Sequence, residues 1–273
     1  MIPSRAFISF AIKSLNNGLL TTLEHKLKNA LISVCLIVIL SLIILAPSYI
    51  NASNNPPVLF RKGSSPYGTP YSEWLKNWWQ WWIGIPNNEH PFPHYDKTCS
   101  VHQQGPVWYL PDVEPTGQLT HASVKYSCEI PKGKAIFFPL STSSCWLANP
   151  EFKKYSNKLA PNPESDQALK TCAISPQDFT HSVVRIDGIN IDPTMLDRAT
   201  TNFYNVTVPA NAVKGLFDFG PPGTSRGIAD AYVLFLAPLP VGKHTIEFTV
   251  TDHLAGPTSE LIKRDGVYTV LVK

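Results

Sequence analysis

The C-terminal third of the chain alternates most regularly between apolar and polar positions. One side of the run carries His244, Ile246, Phe248 and Val250, and the other carries Lys243, Thr245, Glu247 and Thr249. A period of two predicts a strand with one face in the core and one in water. Runs of this kind, separated by Pro, Gly and Asn, predict roughly eight strands: Val107–Leu110, Ser123–Ile130, Lys134–Leu140, Ser182–Ile189, Asn202–Val208, Ala231–Ala237, Lys243–Thr251 and Val267–Val272. We expect a mainly β fold, an antiparallel β-sandwich of the jelly-roll or immunoglobulin-like type.

One Trp-rich helix is predicted before the strands, over residues 70–83. Pro70 suits a first helical position, and Gly84 and Pro86 end the pattern. Its aromatic residues form a stripe at helical spacing: Tyr71, Trp74, Trp78, Trp81 and Trp82. Because each ring carries ~150–250 Å² of surface, we expect the stripe to pack on the β-sandwich. Stacking on sugar rings and a position among lipid headgroups are the alternatives.

An apolar run from Ala30 to Ala46 precedes the predicted domain. Its length lies between that of a secretory signal and that of a spanning helix, so it is a signal peptide or a membrane anchor. The chain is therefore divided into a basic cytoplasmic segment (1–29), the signal or anchor (30–47), a flexible linker (48–69) and an extracytoplasmic domain (70–273). The basic flank favours this orientation, and the domain is then secreted or held by the single N-terminal segment.

The charge of the chain excludes one class of partner. The formal net charge is +3, and residues 1–29 alone hold four basic residues and one acidic residue. The rest of the chain is neutral and lacks the basic surface that phosphate backbones require, so we expect no nucleic-acid partner.

Cysteine usage agrees with export. Cys35 lies inside the apolar run, and the other four cysteines follow it at positions 99, 128, 145 and 172. Four cysteines in an oxidising compartment allow three pairings, of which short loops favour Cys99 with Cys128 and Cys145 with Cys172. The second bridge would bracket an insertion, 145–172, that is rich in Pro, Asn, Lys and Ser. Long loops of this kind are frequent places of binding.

Two aromatic residues are candidates for a ligand site. Trp79 lies outside the aromatic stripe, and Trp108 lies in the first predicted strand. Both rings could stack on a sugar, with hydrogen bonds from nearby polar side chains. Two sequons, starting at Asn51 and Asn205, offer N-glycosylation acceptors if the host uses that pathway.

A short segment after the helix holds candidate metal ligands beside Glu89: His90, His94, Asp96 and His102. Pro91 and Pro93 exclude a helix there, so the paired imidazoles of a helical H-x-x-x-H motif are absent. A solvated loop without a cofactor is therefore favoured over a metal site. His244 shares a face with apolar residues, which predicts a core histidine with hydrogen-bonded ring nitrogens.

No catalytic set stands out in the sequence. The pattern G-x-S-x-G occurs once, at Gly223-Thr224-Ser225-Arg226-Gly227, but in a Pro- and Gly-rich stretch that is predicted to be a turn between strands, and no Ser, His and Asp set with a recognisable local context accompanies it. A carboxylate pair for glycoside cleavage could be drawn from several acidic residues, but nothing selects two of them: Glu73, Glu89, Asp96, Asp112 and Glu114. No catalytic residue is assigned.

Several strings resemble a family of exported, Trp-rich prokaryotic proteins without an assigned activity. They are Tyr71-Ser72-Glu73-Trp74 with Trp78-Trp79-Gln80-Trp81, Gly105-Pro106-Val107-Trp108-Tyr109-Leu110, Cys128-Glu129-Ile130-Pro131-Lys132-Gly133-Lys134-Ala135 with Phe137-Phe138-Pro139, and Ala237-Pro238-Leu239-Pro240-Val241-Gly242-Lys243-His244-Thr245-Ile246. The resemblance covers residues 71–273. It implies that the helix and the β region form one unit and that Cys99 pairs with Cys128. It supplies no catalytic residue.

These observations favour an extracytoplasmic binding or structural module of the cell envelope. Its partners would be the membrane, through residues 30–46 if they are uncleaved, and an envelope polysaccharide or protein. The alternative is a secreted metal- or carboxylate-dependent hydrolase that acts on envelope polymers.

Overall fold

The computed structural model describes residues 59–92, 99–113, 121–174, 182–213, 219–253 and 261–273. The α-helices in these ranges are α1 (Tyr71–Gly84), α2 (Pro150–Tyr155) and α3 (Asp166–Ala173). The strands are β1 (Val107–Tyr109), β2 (His121–Ile130), β3 (Ala135–Trp146), β4 (Val183–Ile186), β5 (Ile189–Ile191), β6 (Asp197–Thr200), β7 (Tyr204–Val208), β8 (Gly223–Leu236), β9 (Gly242–His253) and β10 (Leu261–Val272).

These strands form two five-stranded sheets. Sheet A has the order β1-β3-β8-β6, and β7 pairs with β8 beyond the end of β6. Sheet B has the order β2-β10-β9-β4-β5. The prediction of a purely antiparallel sandwich is wrong at two pairs, since β1 runs parallel to β3 and β2 runs parallel to β10. Strands that pair in parallel must be joined by a crossover, which local alternation of apolar residues does not reveal.

One hydrophobic core lies between the two sheets. The longer strands of sheet B bury every second side chain, as in β2, where exposed and buried positions alternate over ten residues. The core packs Phe138 and Leu234 of sheet A against Phe248 and Tyr268 of sheet B. Alternating burial therefore leaves the other face of sheet B uncovered by these elements.

The centre of sheet A, formed by β3 and β8, is buried on both faces. A second hydrophobic core joins α1 to the opposite side of β3 and β8, where Phe137, Val233 and Phe235 contact the helix cluster. Seven residues of β3 in succession are buried, from Ala135 to Ser141. The predicted packing of the Trp-rich helix against the β region is thus present in the structure.

Residues 59–69 differ from the flexible linker predicted over 48–69. Leu59 forms a β-bridge with Leu236, and the Phe60 amide donates to the Phe235 carbonyl at 2.9 Å. Pro66 is buried, and its carbonyl accepts the indole N–H of Trp74. This segment belongs to the folded domain, and residues 48–58 lie outside the described ranges.

All eight predicted runs contain strands, but two features were missed. The run Ser182–Ile189 is split into β4 and β5 by a tight turn at Asp187 and Gly188, whose φ angles are 51° and 79°. Asp-Gly is a typical pair for a two-residue hairpin turn, because both positions need positive φ. Strand β6 was not predicted at all.

Two disulfides connect segments of the domain, and their pairing confirms the prediction. Cys99 is bonded to Cys128, with 5.2 Å between the Cα atoms, and Cys145 to Cys172, with 6.1 Å. The second bridge joins β3 to α3. The predicted insertion between the two cysteines contains the short helix α2 and most of α3. Two favoured residues cap them: the Asn149 side chain accepts from Phe152 N, and that of Ser165 from Ala168 N.

A substitution at Gly266 of β10 tests how closely this strand packs against Phe248 of β9 in sheet B. A Cβ atom at this position would lie 2.1 Å from a ring carbon of Phe248, which is itself buried. We expect Gly266→Ala to lower the free energy of unfolding by ~1–3 kcal/mol, because a packed ring must move. Denaturant titration measures this change.

Gly84→Ala is the matched control. This glycine ends α1 with no atom within 4 Å of the added Cβ. Alanine has the higher helix propensity, so the control should be neutral or stabilising by up to ~1 kcal/mol. Equal losses in the two variants would contradict the close contact at Gly266.

Candidate functional site

The two predicted sugar-stacking residues are in the hydrophobic cores. Trp79 and Trp108 are each 8% exposed. The Trp79 indole N–H donates to Thr142 Oγ1 at 3.1 Å, and that of Trp108 donates to the Cys99 carbonyl at 3.1 Å. The prediction that these rings form a ligand platform is therefore wrong in this structure, because neither presents a face to solvent.

The error at Trp79 follows from the width of the buried sector of α1. The helix buries a broad face rather than a single stripe: Tyr71, Trp74, Leu75, Trp78, Trp79, Trp82 and Ile83. The stripe chosen from the sequence included Trp81, which is partly exposed and donates to the Val101 carbonyl. Including Leu75 and Ile83 in the apolar pattern would have moved the predicted centre of the buried face towards Trp79.

His90 has a structural role that competes with metal binding. Its Nδ1 accepts from the Phe92 amide at 3.2 Å, and its Nε2 lies 3.0 Å from the Trp82 carbonyl. Burial lowers the pKa of His90 to about 4, against which the two backbone hydrogen bonds act. With both nitrogens engaged, His90 is a neutral core residue rather than a ligand, which corrects the prediction at this position.

The other metal candidates do not complete a site. His102 is exposed and pairs with Glu89, Nε2 to Oε2, at 3.0 Å. His94 and Asp96 lie outside the described residues. Within the ranges that the structure covers, no group of three or more His, Cys, Asp or Glu side chains is placed to hold a metal ion.

His244 is a core histidine, as predicted. It is 4% exposed, and its Nδ1 lies 2.7 Å from Asp187 Oδ2 while its Nε2 lies 2.9 Å from the Pro240 carbonyl. Asp187 also accepts from the Thr245 amide. The histidine thus ties the β4–β5 turn to the start of β9.

The described candidate carboxylates each face a basic partner. Glu73 pairs with Lys76 one turn along α1, and Glu89 pairs with His102. Asp112 is buried, with its Oδ1 3.5 Å from Nη1 of the equally buried Arg264. Asp96 and Glu114 lie outside the described residues.

Of the two sequons, one can be placed. Asn205 is exposed on β7, and Thr207 of the same sequon hydrogen-bonds through its hydroxyl to Thr224. Asn51 lies outside the described residues. Glycosylation of either residue stays a prediction.

Among the described residues, the outer face of sheet B lies outside these cores, and we name it the open face. The β-sheet register sets its side chains in rows across the strands. The rows are His121, Lys263 and Thr251; Ser123, Asp265, Thr249 and Val183; Lys125, Val267, Glu247 and Arg185; Ser127, Thr269 and Thr245; and Glu129, Leu271 and Lys243. Hydroxyl, cationic and anionic groups alternate along and across it.

Asp265 is the most connected group of the open face. Its Oδ2 lies 2.6 Å from His121 Nε2 and 3.1 Å from Lys263 Nζ, and its Oδ1 accepts from Thr249 Oγ1. Partial burial acts to raise the pKa of Asp265, but hydrogen bonds from Thr249, His121 and Lys263 outweigh it and hold the pKa below its usual value. The side chain is therefore an anion with fixed orientation.

Sequence reasoning did not find this cluster. It placed Thr249 on the solvent side of its strand, but His121 and Asp265 are 144 positions apart and meet only through the parallel pairing of β2 with β10. Local patterns carry no signal for such a register.

No known protein family matches the chain, and no curated protein matches it. Among solved structures, the solution structure of amebosin matches with 12% identity, covering 55% of this chain and 96% of its own, at a TM-score of 0.18. That similarity is too low to indicate a shared fold. Across the described residues, none of the helices combines the length and the apolarity needed to cross a bilayer.

Trp79→Ala tests whether this residue is core. We expect the free energy of unfolding to fall by ~3–5 kcal/mol, because a buried ring and its hydrogen bond to Thr142 are lost. Asn77→Ala, at an exposed position of the same helix, should change it by less than ~0.5 kcal/mol. A small effect at Trp79, measured by urea denaturation, would restore the solvent-facing interpretation.

The buried His90 predicts a loss of stability in acid. An unfolded histidine titrates near ~6.5, whereas the folded pKa is about 4, so the unfolded state binds more protons between these values. The contribution is present above about pH 6.5 and is lost as the pH falls towards 4, on the order of 3 kcal/mol. Unfolding at pH 7 and pH 4.5 should show this decline.

The variant His90→Gln tests whether this histidine is the group responsible. The difference in unfolding free energy between the wild type and His90→Gln should shrink as the pH falls. Parallel pH profiles for the wild type and His90→Gln would show that His90 is not the titrating group.

Proposed function

We propose that the chain is an extracytoplasmic binding module of the cell envelope, and that the open face is its contact surface. One observation carries this proposal: among the described elements, the centre of sheet A is covered on both faces, while sheet B is covered on one. A broad ordered surface of rigid strands is available on the other side of sheet B. Side chains on strands are held more precisely than side chains on loops.

The chemistry of the open face favours a polysaccharide with many hydroxyl groups. Its hydroxyl side chains can both donate and accept hydrogen bonds: Ser123, Ser127, Thr245, Thr249, Thr251 and Thr269. Lys125 and Arg185 add donors, and Glu247 adds an acceptor in the same row. Paired strands repeat about every 4.8 Å, so the face offers a periodic set of polar groups to a periodic polymer.

The proposal also includes the location of the protein outside the cytoplasm and the type of its β-sandwich. The two disulfides indicate an oxidising environment. Together with the apolar run before the domain, they support export, with the run either cleaved or kept as an anchor. Two sheets around one core support a sandwich, of which the jelly-roll or immunoglobulin-like type is the proposed form. Among the described residues, no observation favours the hydrolase alternative.

Binding of full-length protein to insoluble envelope polysaccharide tests the open face. Lys125→Ala with Glu247→Ala removes two of the three charged side chains of the central row without touching either core. We expect the dissociation constant to rise about tenfold, which corresponds to ~1.4 kcal/mol. Sedimentation of the protein with the polymer gives this constant.

The matched control is Lys153→Ala with Glu164→Ala. These residues have the same charges and are exposed on the insertion. The control should bind within about twofold of the wild type, since ordinary surface substitutions have small effects. Equal losses in both double variants, or no binding by the wild type, would contradict the proposed surface.

A further inference from the structure

Basic residues are concentrated at one end of the two sheets. The register places Ile130, Val272 and Gly242 of sheet B in one row, and Leu236 of sheet A pairs with Ile136, just after the turn that follows Ile130. The segments at and next to this end are 59–62, 129–134, 187–189, 237–243 and 271–273. We name them together the basic end.

The charge of the basic end is strongly unbalanced. It carries Arg61, Lys62, Lys132, Lys134, Lys243 and Lys273 against Glu129 and Asp187. Glu129 pairs with Lys273, and Asp187 is held by His244 and the Thr245 amide. Lys132 and Lys243 are exposed. Because the chain beyond residue 29 is neutral overall, this local excess of cations is a distinct feature of the surface.

Exposed apolar side chains accompany these cations. Val241 is 57% exposed and Leu271 39% exposed, both beside Lys243. Met195 is 52% exposed and follows Thr194, whose carbonyl accepts from Lys62 Nζ at 3.0 Å. Exposed apolar side chains beside basic residues are typical of surfaces that lie against a lipid headgroup layer.

The chain enters the described domain at this same end. Leu59 is bridged to Leu236, and the twelve residues before it, 47–58, carry no charge. They follow directly on the apolar run Ala30–Ala46. At most ~40 Å of extended chain therefore separates the apolar run from Leu59 along the sequence.

We propose that the basic end docks on a membrane surface that carries anionic headgroups. This inference rests on the extracytoplasmic, anchored form of the proposed function and adds an orientation to it. Lysines around the end attract the headgroups, and Val241 inserts among them. Since the strands of sheet B run away from the basic end, the open face then stands beside the membrane and not against it.

A fluorophore at the basic end tests the contact in the full-length chain. Cys35→Ser leaves the disulfide-bonded cysteines as the remaining ones, and Val241→Cys then gives one site for an environment-sensitive label. We expect a shift of emission to shorter wavelength in vesicles with anionic lipid, compared with zwitterionic vesicles. Val183→Cys, seven strand positions from the basic end on the open face, should show no such shift.

Charge reversal separates electrostatic docking from tethering alone. Lys132→Glu with Lys243→Glu should abolish the shift at position 241, and Lys153→Glu with Lys158→Glu on the insertion should leave it intact. Equal signals at positions 241 and 183, or a signal unchanged by the first pair, would overturn the proposal. The readout uses no polysaccharide, so a failure of the open face to bind the polymer is scored separately.

Discussion

Sheet A must be buried on both faces, because β3 and β8 carry apolar side chains on both sides. A strand of this kind cannot lie at the surface, and it needs a second layer opposite the first. Sheet B supplies one layer, and α1 supplies the other. The many tryptophans of α1 follow from this demand, since one short helix has to cover the width of a sheet. Trp78, with no exposed surface, is at the centre of that layer.

The indole N–H groups extend this constraint to the loops. A buried donor needs an acceptor, and most acceptors here are backbone carbonyls outside the helix. Trp74 donates to Pro66, Trp78 to Leu110 and Trp81 to Val101. Each bond fixes a connecting segment against α1. The helix therefore organises the segments around it as well as covering sheet A.

The same constraint bears on the proposed contact surface. The aromatic rings that the sequence offers as a ligand platform are buried in the core, with Trp79 and Trp108 as the clearest cases. The surface proposed instead is the polar side of sheet B, where a ligand would gain its binding energy from many hydrogen bonds rather than from a few large contacts. Asp265 illustrates the ordering this needs, since His121, Lys263 and Thr249 hold its carboxylate in place. Preorganised polar groups lose less entropy when a partner binds.

Features that depend on local sequence patterns could be predicted from the sequence, whereas the pairing of distant strands could not. Alternation within β9 identified its core and solvent faces residue by residue, and the short spacing of Cys145 and Cys172 favoured their pairing. Helix caps at Asn149 and Ser165 were present in the insertion, but its Pro-rich composition masked them. The pairing of β2 with β10 joins segments 140 positions apart, and only tertiary packing determines which strands meet. For that reason the Asp265 cluster, and with it the candidate surface, was out of reach of sequence patterns.

The disulfides stabilise the parts of the domain that the sheets hold least. Cys99 lies before the three-residue strand β1 and is bonded to β2, and Cys172 lies in the short helix α3 and is bonded to β3. Loops of 29 and 27 residues closed by such bonds gain about 3–4 kcal/mol each in the chain-entropy model. The insertion has further attachments, since Arg226 binds Asp166 through two hydrogen bonds and stacks on Phe203. Reduction should therefore loosen the segments before β1 and within the insertion more than the sheets, whose strands are held by their pairing along many residues.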